Sequence, residues 1–258
     1  EGEGLLLDAA RKTWRFFKDF STKENNWLCP DNYQITNKRK VTHKTSPTNI
    51  GLQFLSILSA RDFGFETLSA TLDTLENLLY TVVILPKWNG HLYNWYDINT
   101  LNTLMPEYIS TVDSGNFFGH LITLKNGLKE QKDNPVLPAC ILSELKRKAE
   151  MSKIDVELDK DHGTYGEYLK DVLEIRKKIG GAREKVRDDS RIVEELIHAV
   201  DGIEAEIEAF GLADESFSSE PTLRKLAQAN QSYAVELTEK IDGLCRIIDN
   251  MLDAVDFR

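Results

Sequence analysis

The C-terminal part of this chain contains a series of mostly apolar residues. The spacing between successive members alternates between four and three residues. The series is Leu226, Asn230, Tyr233, Leu237, Ile241, Leu244, Ile248, Met251 and Val255. A similar series spans residues 192–210, and Gly211 and Pro221 bracket the segment between the two series. Such heptad-like spacing places apolar groups on one face of a helix, and the glycine and proline indicate a turn. The sequence therefore predicts a long antiparallel helical hairpin with a solvated acidic face.

The rest of the chain is also predicted to be helical, with little that indicates strands. Apolar residues three and four apart, together with glycine, proline and polar start signals, mark the helices. We predict helices over residues 5–20, 48–63, 67–85, 113–128, 135–151, 165–179, 183–210 and 221–255. Residues 88–112 are predicted to be extended and rich in turns, with a short hairpin, and Asp113 or Ser114 to cap the next helix. The predicted fold class is all-α.

Charged and aromatic residues divide the chain into two parts. Residues 1–150 hold 17 acidic and 17 basic side chains, whereas residues 151–258 hold 25 acidic and 15 basic ones. Of the 23 aromatic residues, 17 lie within residues 1–134. A neutral, aromatic-rich part and an acidic part indicate two structural units, which we predict at 1–150 and 151–258.

Composition also argues against several classes of function. A net charge of -10 without a basic block argues against nucleic acid as a partner, since phosphate contacts need clustered lysines and arginines. The longest apolar run, residues 78–85, is much shorter than the ~20 residues of a membrane span. Cys29, Cys140 and Cys245 lie far apart, which favours neither a metal site nor a disulfide framework and indicates a reducing compartment. We expect no metal and no cofactor.

Three short segments concentrate polar and aromatic side chains outside the apolar helical patterns. The first, second and third polar segments are Thr45-Ser46-Pro47-Thr48-Asn49-Ile50-Gly51, Gly90-His91-Leu92-Tyr93-Asn94-Trp95-Tyr96-Asp97 and Ser110-Thr111-Val112-Asp113-Ser114-Gly115-Asn116. The first and third run directly into helical patterns. Sugar hydroxyls need paired donors and acceptors, and the C–H faces of a pyranose ring pack on aromatic rings. The three segments therefore predict a carbohydrate site.

Simpler structural interpretations of these segments remain open. The first segment can be a helix start, with Thr45, Ser46 or Thr48 as the cap. The second alternates along an extended chain, and an aromatic hairpin packed on helices explains that pattern equally well. Asp113 in the third is a natural helix cap.

A pair of catalytic carboxyl groups is not evident. Glycoside chemistry needs two of them, about 5–5.5 Å apart for retention or about 6.5–9.5 Å for inversion. Asp97, Glu107 and Asp113 are the nearest candidates, but no spacing rule pairs any two of them. The catalytic residues stay unidentified.

Further motifs point to a known family. They are Thr13-Trp14-Arg15-Phe16-Phe17, Asn26-Trp27-Leu28, Pro30-Asp31-Asn32-Tyr33-Gln34 and Ala60-Arg61-Asp62-Phe63-Gly64. Together with the three polar segments, these motifs closely resemble the middle region of bacterial cyclic β-1,2-glucan synthases. The match covers about residues 8–128 in the family's order, and residues 129–256 match only as an acidic helical insertion.

The resemblance implies a fold and an activity. The implied fold is an (α/α)6 toroid of the glucoamylase-like kind, incomplete here, with its first helices in residues 1–150. The implied task is to close linear β-1,2-glucan into a ring by retaining transglycosylation. The catalytic glutamates are expected beyond Arg258, so the parent synthase is an enzyme and this piece alone is expected to be inactive.

The resemblance also implies a substrate site. Carried over residue by residue, the sugar cleft is lined by Thr45, Ser46, Thr48, Asn49, Tyr93, Asn94, Trp95, Asp97, Asp113, Ser114 and Asn116. The implied partners are β-1,2-glucan and the remaining domains of the same membrane-anchored synthase. The implied location of this piece, itself soluble, is the cytoplasmic side of the bacterial inner membrane. Unpartnered inner helices would expose apolar area, so self-association is also expected.

Two alternative functions do not involve catalysis. The chain could be a glucan-binding module, with its aromatic side chains as a platform for sugar. It could equally be a scaffold whose helical hairpin docks neighbouring domains of the synthase.

Overall fold

The computed structural model describes residues 2–35, 40–152, 154, 165–182, 190–212 and 221–255. Within these residues the chain is predominantly helical, which confirms the predicted all-α class. The helices are α1 (Gly2–Phe20), α2 (Pro47–Asp62), α3 (Leu68–Ile84), α4 (Thr111–Glu130), α5 (Ala139–Met151), α6 (Tyr165–Ala182), α7 (Ser190–Phe210), α8 (Leu223–Gln228) and α9 (Ser232–Asp253), with a short 3-10 helix at Lys23–Asn25. None of the helices in this described part of the chain has both the length and the apolarity to cross a membrane.

The strands in the described residues are two residues long. They are β1 (Tyr33–Gln34), β2 (Lys40–Val41), β3 (Lys44–Thr45), β4 (Lys87–Trp88), β5 (His91–Leu92) and β6 (Tyr96–Asp97). Antiparallel pairs form between β1 and β2, between β3 and β6, and between β4 and β5. Because β3 and β6 come from different polar segments, their pairing fixes the first segment against the second.

The hairpin of β4 and β5 turns at Asn89 and Gly90. Both residues have positive φ, 48° and 81°, as a type I′ turn requires. A Cβ added to Gly90 would lie 2.4 Å from the Ala254 carbonyl oxygen, so the turn also has no room for a side chain there. This is the short hairpin predicted within residues 88–112.

The start of α2 agrees with its predicted cap. Ser46 precedes Pro47, the first helical residue, and Ser46 Oγ accepts a hydrogen bond from the Asn49 backbone N–H at 3.3 Å. Proline is tolerated at this position because its missing N–H has no partner inside the helix. Among the three residues considered as caps, Ser46 is therefore the one that supplies the acceptor.

The predicted cap of α4 is wrong. Ser110 Oγ accepts a hydrogen bond from the Asp113 backbone N–H at 3.2 Å, and the helix begins at Thr111. Asp113 and Ser114 thus lie inside the first turn instead of capping it. A carboxylate in the first turn is favourable because of the helix dipole, so Asp113 fits a helix start without being the cap.

The helix predicted over residues 221–255 is interrupted between α8 and α9. Asn230 lies between them with a φ of 59°, and Gln231 caps α9 by accepting a hydrogen bond from the Ala234 N–H at 2.6 Å. Apolar spacing could not indicate this break because Asn230 occupies a position of the regular series. Of the helix predicted over residues 183–210, residues 183–189 lie outside the described residues.

The chain comprises two compact units. The first unit consists of residues 1–60, 71–130 and 240–258, and the second of residues 61–70 and 131–239. The first, second and third polar segments all lie within the first unit.

In the first unit, α2 and α4 run parallel. Near their starts Thr48 meets Asp113, further along Gly51 and Phe54 meet His120 and Phe117, and towards their ends Leu58 meets Gly127. A Cβ added to Gly51 would lie 2.1 Å from His120 Nδ1, so the two helices approach closely there. The parallel packing places the N-terminal ends of both helices, and hence the first and third polar segments, side by side.

In the second unit, α5, α6 and α7 pack against one another, and the unit also contains two buried ionisable residues, Arg61 and Glu206. Arg61 is only 2% exposed, and its Nη2 donates to the carbonyl oxygens of Pro135 (2.9 Å) and Val136 (2.8 Å). Glu206 is buried as well and accepts from the N–H (2.6 Å) and hydroxyl (2.7 Å) of Ser69. Burial raises the pKa of the Glu206 carboxyl, against the smaller lowering effects of Ser69 and of the positive charge on Arg61.

Candidate functional site

Backbone hydrogen bonds place the polar segments beside the loop over residues 102–108. Lys44 pairs with Asp97 and Thr45 with Tyr96 in the β3–β6 ladder. On the other side of the second segment, the N–H of Asn94 donates to the Tyr108 carbonyl and the N–H of Leu104 to the Trp95 carbonyl, both at 2.9 Å. The second polar segment is therefore held between the first segment and this loop.

A chain of side-chain hydrogen bonds joins one residue from each polar segment. Thr48 Oγ1 donates to Asp113 Oδ1 at 2.6 Å. Asn94 Nδ2 donates to the other carboxylate oxygen, Asp113 Oδ2, at 3.1 Å. Hydrogen bonds to a charged acceptor are stronger than neutral ones, so the Asp113 carboxylate holds the three segments together.

Asn94 is the polar centre of the site. It is 6% exposed, and the orientation of its amide is assigned from its hydrogen-bond partners. Its Oδ1 accepts from Trp95 Nε1 and from the Tyr108 hydroxyl, both at 2.7 Å. Asn94 thus connects the carboxylate of Asp113 to two aromatic side chains, a combination of the groups that sugars need.

Side-chain exposure alternates along residues 92–98, which comprise most of the second segment and the residue after it. The even-numbered residues of this stretch are buried, whereas Tyr93, Trp95 and Asp97 are half-buried. His91 is also buried, with Nδ1 3.2 Å from Ser114 Oγ. Its imidazole is therefore not part of the half-buried face that carries Tyr93, Trp95 and Asp97.

The Trp95 ring has a cation on one face. Lys44 Nζ lies 3.6 Å from the ring centroid, well within the range of a cation–π interaction. The Trp95 Nε1–H is bound to Asn94, so both the ring and its donor already have protein partners. Any sugar that stacks on Trp95 must use the opposite face or displace Lys44.

Asp97 organises a turn. Its Oδ1 accepts from the backbone N–H groups of Thr100 (2.8 Å) and Asn99 (2.9 Å). The hydrogen bond from the Thr100 N–H, with that from Asn99 and others, lowers the pKa of the Asp97 carboxyl. Asp97 is therefore an ionised acceptor whose position is set by its own loop.

The remaining predicted site residues differ in burial. Thr45 and Ser46 are buried, and Asn49 is half-buried, with Nδ2 donating to Asp31 Oδ1 at 3.0 Å. Tyr93, from the second segment, donates its N–H to the Tyr96 hydroxyl at 2.7 Å. In the third segment, Ser114 is buried and Asn116 is exposed. The structure thus brings together Thr48, Asn94, Trp95 and Asp113.

Cys29 lies beneath the first polar segment in a closely packed setting. Its N–H donates to Gln53 Oε1 at 3.0 Å, and its Sγ lies 3.5 Å from the Asn49 carbonyl oxygen. Burial raises the pKa of the Cys29 thiol to about 12. Because the thiolate is the reactive form of cysteine, this thiol is protected twice, by burial and by protonation.

We expect N-ethylmaleimide to modify Cys140 well before Cys29 in the folded chain, because Cys140 is only half-buried. Peptide mapping by mass spectrometry at increasing reaction times gives the two rates. The urea-unfolded chain serves as the control, in which both cysteines should react alike. Equal rates in the folded chain would mean that the first polar segment does not rest on a packed layer.

Three residues of this site were missed by sequence reasoning. Lys44 directly precedes the first segment, Tyr108 lies two residues before the third, and Asp31 comes from a separate motif. Proximity along the chain to a polar segment was an available signal for Lys44 and Tyr108. Nothing local indicated that Asp31 would bind Asn49, because 18 residues separate them.

The arrangement is suited to binding hydroxyl groups. It combines a carboxylate, amide and hydroxyl groups, and aromatic rings within one hydrogen-bonded network. Among the residues that the structure describes, no group of three or more histidine, cysteine, aspartate or glutamate side chains is placed to hold a metal ion.

Comparison with known proteins confirms the resemblance to cyclic β-1,2-glucan synthases. The chain is 45% identical over 126 residues to cyclic beta-(1,2)-glucan synthase NdvB of Rhizobium meliloti (strain 1021). The aligned part is 49% of this chain and 4% of that protein, so the chain spans a small fraction of its relative's length. No family model matches the chain.

Proposed function

We propose that this chain is part of a cyclic β-1,2-glucan synthase and that its three polar segments bind the glucan during ring closure. The observation that carries the proposal is the network of Thr48, Asp113 and Asn94, because it gathers one residue from each segment. The similarity to a named synthase supports the choice of glucan as the ligand. The bound chain would lie over this network, with Trp95 and Asp97 at its margin.

The proposed architecture is an (α/α)6 toroid to which residues 1–150 contribute the first helices. In such a toroid, loops before the inner helices form the cleft. The parallel packing of α2 and α4, which puts two helix starts and their polar segments side by side, supports this assignment. Residues 151–258 are proposed to be an acidic insertion folded as an antiparallel helical hairpin.

The proposed reaction is retaining transglycosylation. A carboxylate attacks the anomeric carbon and forms a glycosyl ester, while an acid protonates the departing sugar oxygen. The hydroxyl at the glucan's own non-reducing end then attacks the same carbon, breaks the ester and gives its proton to the residue that acted as acid. The part assigned to this chain is to hold the glucan so that this hydroxyl, and not water, is nearby.

The proposed setting follows from the similarity alone. The partners are β-1,2-glucan and the remaining domains of the same polypeptide, and the location is the cytoplasmic side of the bacterial inner membrane. Self-association of the chain is part of the same proposal, because helix faces meant for other parts of a toroid would be apolar.

The proposal predicts that the chain binds linear β-1,2-linked gluco-oligosaccharides. Asp113→Ala is expected to weaken this binding at least about tenfold, because the substitution removes the charged acceptor that positions Thr48 and Asn94 in the proposed site. Isothermal titration gives the affinity. The matched control is Asp8→Ala, which removes an exposed carboxylate of the same unit that forms an ion pair with Arg11. A β-1,4-linked oligosaccharide of equal length is the control for linkage.

Two results would contradict the proposal. One is an absence of β-1,2-glucan binding by the folded wild-type chain. The other is equal affinity of wild type and Asp113→Ala with an unchanged circular dichroism spectrum, because the network would then have no part in binding.

A further inference from the structure

Tyr108 combines an exposed ring with a fixed position. Its side chain is 45% exposed, yet its hydroxyl lies 2.7 Å from Asn94 Oδ1. Its backbone carbonyl also accepts from the Asn94 N–H at 2.9 Å. The buried Asn94 therefore holds Tyr108 at both its backbone and its hydroxyl, while the ring remains open to solvent.

A fixed aromatic ring loses little conformational freedom when a ligand packs against it. Ordering a mobile side chain costs free energy on binding, and pre-organisation removes that cost. An exposed tyrosine without such anchoring, such as one on the outer face of a helix, lacks this advantage. The two hydrogen bonds to Asn94 therefore distinguish Tyr108 from an ordinary surface tyrosine.

The aromatic neighbours of Tyr108 are less available. The Trp95 ring has Lys44 Nζ 3.6 Å from its centroid, and Trp95 and Tyr93 are both half-buried. Trp95 and Tyr108 donate to the same oxygen of Asn94, so their polar ends converge on one point. Of these three rings, Tyr108 offers the most exposed surface beside the Thr48–Asp113–Asn94 network.

We propose that the Tyr108 ring is the surface on which a neutral sugar ring of the glucan stacks, and that Trp95 serves to position Asn94. This inference rests on the proposed function, since it assigns a residue to the same site. The C–H face of a glucose unit would pack on the tyrosine ring, and its hydroxyls would face the carboxylate of Asp113. Tyr108 belongs to none of the three polar segments, so the stacking surface lies in the loop that precedes α4.

The experiment compares three variants by isothermal titration with linear β-1,2-linked gluco-oligosaccharides. Tyr108→Ala is expected to weaken binding at least about tenfold, the scale of one buried aromatic contact. Tyr108→Phe is expected to lose less, because the ring remains and only its anchoring hydroxyl is gone. Tyr80→Ala is the matched control: Tyr80 is 54% exposed on α3 in the same unit, and its removal is expected to leave the affinity unchanged.

The outcomes separate this inference from the function on which it rests. If wild type binds the oligosaccharide and Tyr108→Ala binds it equally well, the stacking role is refuted and the glucan site stands. If Tyr80→Ala loses as much affinity as Tyr108→Ala, the stacking role is refuted too, because no specific ring is then involved. If the folded wild-type chain does not bind, both the site and the stacking role are refuted. Circular dichroism of each variant establishes that it is folded.

Discussion

Replacing Arg61 by methionine is expected to lower the free energy of unfolding by about 3–5 kcal/mol, the cost of removing one partner from a buried set of charges. The guanidinium is almost fully buried and donates to the carbonyl oxygens of Pro135 and Val136. Methionine fills a similar volume but donates nothing, so both carbonyls lose a charged donor. Glu206 also loses a nearby positive charge, which lowers the pKa of its carboxyl against the raising effect of burial.

Urea unfolding followed by far-UV circular dichroism measures this change, and hydrogen exchange locates it in α5, α6 and α7. Arg191→Met is the matched control. Arg191 is exposed and forms an ion pair with Glu195 one helical turn away, so its loss is expected to cost less than about 1 kcal/mol. Equal stability of Arg61→Met and Arg191→Met would show that the buried guanidinium does not hold the second unit together.

The Gly64→Ala substitution is expected to lower the free energy of unfolding by about 2–5 kcal/mol, from backbone strain and overpacking together. Gly64 has a φ of 73°, a conformation that costs any residue with a Cβ about 1–2 kcal/mol. The new Cβ would lie 2.5 Å from the Cys140 carbonyl carbon and 2.6 Å from the Ile141 nitrogen. These are backbone atoms at the start of α5, so relief requires movement of the helix itself.

The second unit offers a matched control for this substitution. Gly211, at the end of α7, has a similar φ of 67°, but an added Cβ would meet no atom of the described residues within 4 Å. Gly211→Ala therefore carries the backbone strain without the overpacking and should cost only about 1–2 kcal/mol. The difference between the two variants in urea unfolding isolates the close approach to Cys140. No difference would mean that α5 can move away from Gly64 at no cost.

Most of the helical framework could be predicted from the sequence. The predicted bounds of 48–63 and 67–85 differ by one residue at each end from α2 and α3. These helices begin and end at local signals, a proline at the start of α2 and another after α3, and such signals do not depend on distant contacts. The helix cap of α4 was predicted wrongly because both Ser110 and Asp113 are residues that commonly cap helices. The break between α8 and α9 was missed because the polar Asn230 occupies a position of the regular apolar series.

The composition of the candidate site was also visible in the sequence, but its connections were not. Thr48 and Asp113 are 65 residues apart, and their hydrogen bond depends on α2 and α4 packing in parallel. For Tyr108 and Lys44 the one available signal was proximity to a polar segment, which does not indicate a contact with Asn94 or Trp95. Which side chains carry the site is a property of contacts between segments, and spacing within one segment does not determine these.

The sequence by itself determined the all-α class, the three polar segments and the resemblance to glucan synthases, because helix periodicity, capping chemistry and motif order are written in neighbouring residues. Only the tertiary structure decided that Asn94 joins Asp113 to Trp95 and Tyr108, and that Lys44 covers one face of the tryptophan ring. The physical reason is that hydrogen bonds and ring contacts act over a few ångströms. They form only after helix packing has brought distant parts of the chain within that range.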